Sequence, residues 1–158
     1  MMLKTIDVID DRKLTLEVLE GLLGFVGFKT RIDKSDKTLW IEKKKYISTL
    51  VKFHPRKSYI NLFCAIRARD DIDELAFARA VNKLNSRSSY CNFDYHFSKR
   101  HGHMFGASSK LQTADGLVIQ QLLYLTENFC IEFINSCFSK EAKTLLHYKR
   151  GRLYMECP

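Results

Sequence analysis

Between residues 73 and 97 the apolar spacing changes from helical to alternating, and that switch limits the possible folds more than any other stretch. In the segment DELAFARAVNKLN, Leu75, Phe77, Ala78, Val81 and Leu84 are read as one broad apolar face, which predicts an amphipathic helix. Asp71 or Asp73 is placed to cap it, because a short carboxylate accepts an unpaired first-turn N–H, and Glu74 suits the positive end of the helix dipole. Arg79, Lys83 and Arg87 recur at i, i+4 and i+8 on the opposite side. Asn85 falls inside the apolar sector and Asn82 at its edge. Buried amides need partners, so both are expected to bind neighbouring backbone and act structurally rather than hold a ligand. After a turn cluster at 86–89, Cys91, Phe93, Tyr95 and Phe97 alternate with Tyr90, Asn92, Asp94 and His96, the period of a half-buried strand.

The rest of the chain extends this pattern on both sides. Residues 11–27 predict a helix capped by Asp10 or Asp11, with a stripe of Leu14, Val18, Leu19, Leu22, Leu23, Phe25 and Val26 and with Gly27 at its left-handed end. Gly21 and Gly24 lie off the stripe. Each costs roughly 1 kcal/mol against alanine, a cost the helix is expected to accept without a close backbone neighbour. Residues 28–33 read as a strand, 34–37 as a turn, and 38–42 with 46–53 as a second strand bent at 43–45. A turn containing Pro55 precedes a third strand at 59–68, with Ile60, Leu62, Cys64 and Ile66 inward. Beyond the central helix and strand, 99–102 is a turn and 103–111 a fifth strand. Thr113 is then expected to cap a long helix over 114–138. The order is α-βββ-α-ββ-α: an α+β domain with a single antiparallel five-stranded twisted sheet over residues 1–139, followed by a basic C-terminal extension at 140–158 with a short strand at 153–156.

A helix of the form LxxAxxxNxLN, a few polar residues, and a strand opening aromatic–x–x–aromatic is present here as Leu75, Ala78, Asn82, Leu84, Asn85, Tyr90 and Phe93. In this motif, and in element order over roughly residues 12–138, the chain resembles YbjN-type domains. That family is bacterial and small, and its fold is similar to that of type III secretion chaperones. The resemblance implies a non-enzymatic, chaperone-like or regulatory module that binds a protein partner through apolar grooves and sheet edges, and a homodimer. The family's loose assignment as regulators supplies no catalytic residues. One departure is clear. Secretion chaperones are typically acidic and YbjN-type hairpin turns are rich in aspartate, whereas this turn reads Lys99-Arg100-His101-Gly102. A partner of acidic character fits better.

Charge points the same way. The formal net charge of +8 attracts nucleic acid, acidic protein or anionic lipid. Residues 79–110 carry six basic residues against one acidic, a net of +5. Arg79, Lys83, Arg87, Lys99, Arg100 and Lys110 are therefore the expected partner-binding residues, with nucleic acid as the alternative ligand of that face. No recognised nucleic-acid-binding motif accompanies them, and no phosphate-binding glycine loop is present.

His96, His101 and His103 cluster at a hairpin end but lack a carboxylate or thiolate at ligand spacing, so no metal or other cofactor is expected. Cys91 and His96 face opposite sides of one strand, which is the wrong arrangement for an activated thiol, and no enzyme activity is expected. Cys64, Cys130 and Cys137 fall on apolar faces. Cys91 and Cys157 could pair only if the C-terminus folds back. No apolar run approaches the ~18 residues a membrane span needs, and residues 1–9 lack an apolar leader core, so the expected location is cytoplasmic.

Overall fold

The computed structural model describes residues 7–42, 48–149 and 152–153. In chain order it contains β1 (Val8–Ile9), a 3-10 turn (Asp11–Lys13), α1 (Leu16–Phe25), β2 (Lys29–Asp33), β3 (Thr38–Glu42) and β4 (Thr49–His54). A second 3-10 turn (Pro55–Lys57) leads into β5 (Tyr59–Arg67), α2 (Glu74–Asn85), β6 (Asn92–Ser98) and β7 (Gly102–Gln112). The chain continues through β8 (Leu117–Val118), α3 (Ile119–Cys137), the short α4 (Lys140–Lys143), β9 (Tyr148–Lys149) and β10 (Arg152–Leu153).

The main sheet has six strands in the order β2-β3-β4-β5-β7-β6, every neighbouring pair antiparallel. The sixth strand corrects the expectation of five. Residues 38–53 are not one bent strand. β3 and β4 fold back on each other with Leu39 opposite Val51, Trp40 opposite Leu50 and Ile41 opposite Thr49. Leu39, Ile41, Thr49 and Val51 are all buried and all odd-numbered, so the alternation keeps its phase across the reversal and could not reveal it. The proposed bend at 43–45, and Ile47, lie outside the described residues. Two further antiparallel pairs, β1–β8 and β9–β10, stand apart from the main sheet.

All three long helices pack on one face of the sheet. The Phe77 ring of α2 lies 4.4 Å from that of Tyr95. Phe133 of α3 stacks on Phe105 at 5.7 Å and on Phe93 at 6.3 Å. Leu19 and Leu23 of α1 join the same core as Leu39 and Ile41. Each fully buried large side chain contributes on the order of 1.5–3 kcal/mol, so Phe105→Ala at the centre would cost about 3–5 kcal/mol.

Several local expectations change. α1 starts at Leu16, not 11, because the Thr15 hydroxyl accepts the Val18 N–H. Asp10 caps only the 3-10 turn, and Asp11 instead accepts hydroxyls from Ser58 and Thr113. Thr113 is thus spent on Asp11, and α3 begins at Ile119, after Leu117 and Val118 have paired with β1. Phe25 is 93% exposed and Val26 is exposed, so α1 buries a narrower stripe of Leu19 and Leu23. Gly27 adopts φ +92°, as its helix-ending position requires. Asp73 caps α2 through the Ala76 N–H. The buried face of α2 is Phe77, Val81 and Leu84. Leu75 and Ala78 are exposed, since two residues of helix place Leu75 about 160° from Phe77.

Residues 140–146 pack into the body of the domain. Ser139 caps α4, Ala142, Leu145 and Leu146 are buried in the common core, and Leu146 bridges to Ala68. A short strand does occur nearby at Arg152–Leu153, while 154–158, including Cys157, lie outside the described residues.

Candidate functional site

The six expected partner-binding cations do not form one surface. Arg79 stands exposed on α2. Lys83 and Arg87 converge on Glu141 of α4, at 2.9 and 3.3 Å, and that carboxylate side chain is only 11% exposed. The Lys83 hydrogen bond is the largest influence holding Glu141 below the ordinary carboxylate range. Two of the three cations expected on the helix therefore engage α4, and Arg87 lies just past the end of α2 in the α2–β6 loop. Lys99 and Arg100 occupy the β6–β7 turn. Lys110 lies near the other end of β7, roughly 25–30 Å along the strand. It also lies on the helix-free side, with its ammonium 5.2 Å from the centre of the Tyr59 ring.

Asn85 binds the main chain of Phe93 through both its donor and its acceptor, whereas Asn82 is exposed. Sequence reasoning missed Glu132 of α3. Its carboxylate accepts the N–H groups of Ser89, Tyr90 and Cys91 at 3.0, 2.7 and 2.8 Å and the Ser88 hydroxyl at 3.0 Å. Burial alone would raise the Glu132 carboxyl, but these donors outweigh it and hold the pKa below its ordinary value. Glu132 thus latches α3 to the α2–β6 loop. Beside the latch a cleft of about 380 Å³ opens, lined by Arg87, Tyr90, Asn128, Ile131, Asn135 and Glu141 among others.

β6 is an edge strand. Asn85 takes up the outward N–H and C=O of Phe93. Alternate residues of a strand turn their backbone groups to the same side, so those of Tyr95 and Phe97 point outward as well, with no strand beyond them among the described residues. Phe97 is 62% exposed, and Leu75, in the first turn of α2, is 57% exposed.

Most of the residues considered for chemistry have contacts within the domain. The Tyr95 hydroxyl and His103 Nδ1 lie 2.6 Å apart. His96 Nδ1 is 3.8 Å from Asp94. The Cys91 thiol contacts the Phe129 carbonyl, and burial, reinforced by Glu132, pushes its pKa up. Thr49 Oγ1 lies 3.1 Å from Cys64 Sγ and 3.2 Å from Cys130 Sγ. Among the described residues no cluster of three His, Cys, Asp or Glu is arranged to hold a metal, and no helix is long and apolar enough to cross a membrane.

No family model matches the chain, and no curated protein matches it in sequence. Solved structures do match its fold. YbjN of E. coli, described as a proposed transcription regulator, aligns with a TM-score of 0.72 at 12% identity, over 85% of this chain and 97% of that one. An uncharacterised protein of Methanothermobacter thermautotrophicus aligns at 0.58 with 14% identity, over 79% of this chain and 95% of its own. The ExsC–ExsE complex aligns at 0.50 with 12% identity, over 79% of this chain and 93% of the matched one. The chain therefore has a YbjN-like, secretion-chaperone-like α+β fold, as its central motif suggested.

Proposed function

We propose that this chain is a non-enzymatic protein-binding module of YbjN type, chaperone-like or regulatory, that takes an extended segment of a partner along β6. The half-capped edge carries this reading: Asn85 closes it at Phe93, while Tyr95 and Phe97 offer ladder groups beside the exposed Phe97 side chain. An unpaired edge with apolar side chains at its border accepts a strand, with main-chain bonds supplying affinity and alternate side chains supplying selectivity. The match to the ExsC–ExsE complex, itself a protein–protein assembly, supports the same reading. A homodimer formed along this edge is the simplest self-association. Placing nucleic acid on the α2 face is less favoured, because Glu141 already engages Lys83 and Arg87.

The test compares the wild type with a Phe97→Glu variant. Light scattering should give a dimer, or affinity purification from the host a defined protein, that the variant loses while keeping its melting temperature. A wild-type monomer with no partner, or retention of the same partner by the variant, rejects the edge as the site.

A further inference from the structure

The opposite face of the sheet carries no helix among the described residues, and its side chains are ordered by register. Trp40, Leu50, Phe63 and Ser108 stand in one line across β3, β4, β5 and β7. The next line is Lys52, Asn61 and Lys110, and the next His54, Tyr59 and Gln112. Two aromatic lines therefore flank a basic one, with about 13 Å along β5 from Phe63 to Tyr59. Trp40, Phe63 and Tyr59 are half-buried, while Lys52, Lys57 and Lys110 are exposed. None of these three lysines makes an ion pair with a described residue.

By contrast, Lys29 and Arg31 near the far edge share Glu42, and Arg67 pairs with Asp70. The three lysines also meet around the His54–Tyr59 ring pair, whose centroids are 4.5 Å apart. After burial, their combined positive field depresses the His54 imidazole. Asn61 Oδ1, between Lys52 and Lys110, is buried without a hydrogen-bond partner. Asp94, an acidic residue of this face, sits on β6 opposite Gly106, where a Cβ would crowd its carboxylate.

From this geometry we infer a second binding surface, beyond the β6 edge: a platform for single-stranded nucleic acid, on which Trp40, Phe63 and Tyr59 stack unpaired bases and Lys52, Lys57 and Lys110 hold phosphates. Charge complementarity selects a polyanion, and flat rings on either side of the lysine line select one with planar groups. A paired duplex keeps its base faces stacked internally, so only single strands can present them to an open sheet. Such binding tolerates sequence variation, because every base has a π-face.

Trp40 is the only tryptophan of the chain, so its fluorescence reports on this surface alone. Titration with a short oligothymidylate or oligouridylate should quench Trp40 emission saturably. With about three phosphate contacts, affinity should fall about 100-fold for a tenfold rise in salt. Lys52→Glu with Lys110→Glu should lower affinity at least about tenfold at an unchanged melting temperature, whereas Arg79→Glu with Lys83→Glu should leave it unchanged. Milder Lys52→Gln and Lys110→Gln changes serve if the reversals impair folding. No saturable quenching, equal affinity for the duplex of the same sequence, or displacement of the oligonucleotide by polyglutamate at equal charge overturns the proposal. The last result would assign the face to an acidic protein.

Discussion

The side-chain amide of Asn85 and the main chain of Phe93 close a two-bond ring: Nδ2 donates to the Phe93 carbonyl at 2.8 Å, and the Phe93 N–H donates to Oδ1 at 2.6 Å. One side chain at the end of α2 thus replaces a strand neighbour at the edge of the sheet and fixes helix to strand. Asn85→Ala leaves both main-chain groups without their partner. It should cost about 1–3 kcal/mol, read as a lower denaturant midpoint at constant slope. Asn85→Asp should do no better, because a carboxylate has no proton for the Phe93 carbonyl. If both variants match the wild type, the ring has no part in holding α2 to β6.

Glu132 makes acid stability a test of its latch. Its pKa in the folded chain is depressed, so its stabilisation is fully present above the unfolded-chain value of about 4.3 and is lost as pH falls through the folded value. Glu132→Gln should lower stability at neutral pH by about 1–3 kcal/mol and flatten the decline below pH of about 4.5. Urea midpoints measured from neutral pH into the acid range check this. A variant with an acid limb as steep as the wild type would show that other carboxylates dominate it.

Gly21 and Gly24 face open space, and a methyl group added at either position would meet nothing within 4 Å. Gly21→Ala and Gly24→Ala should each stabilise α1 by about 0.5–1 kcal/mol, additively, through helix propensity. A thermal melt is sufficient. A loss of stability that grows with protein concentration would mean that a second copy packs against this side of α1.

The side chains of Cys64, Cys91, Cys130 and Cys137 are all buried. Burial raises the thiol pKa of both Cys91 and Cys137, and the thiolate is the reactive form. These four thiols should react with a disulfide reagent only on unfolding, so the rate should track denaturant rather than reagent concentration. Fast native labelling of Cys91, located by peptide mapping, would contradict its packed position.

Much of the local architecture was legible in the sequence. Apolar period alone placed α2, β6, β5 and the core of α3, because burial on one face imposes that period wherever the element sits. Asn85 was legible too, as an amide inside an apolar sector that had to find backbone partners. The β3–β4 reversal was not, because an alternation that keeps its phase reads the same through a straight strand and a hairpin. Leu75 was misplaced by treating every apolar residue near a stripe as part of it.

For the candidate sites, charge in sequence misled, and the missing information was pairing. Six cations between residues 79 and 110 read as one patch, yet Glu141, distant in sequence, takes two of them, and the sheet separates Lys110 from the helices. The converse holds on the open face, where Trp40, Lys52, Tyr59, Phe63 and Lys110 gain meaning only from strand register. Glu132 gave no sequence signal, since its partners are main-chain N–H groups that every residue but proline carries. The sequence by itself therefore determined α2, β5, β6, the core of α3 and the YbjN-like fold. The tertiary structure alone decided which charges are neutralised, which edge stays open and which rings stand together, because those depend on contacts between residues far apart in the chain.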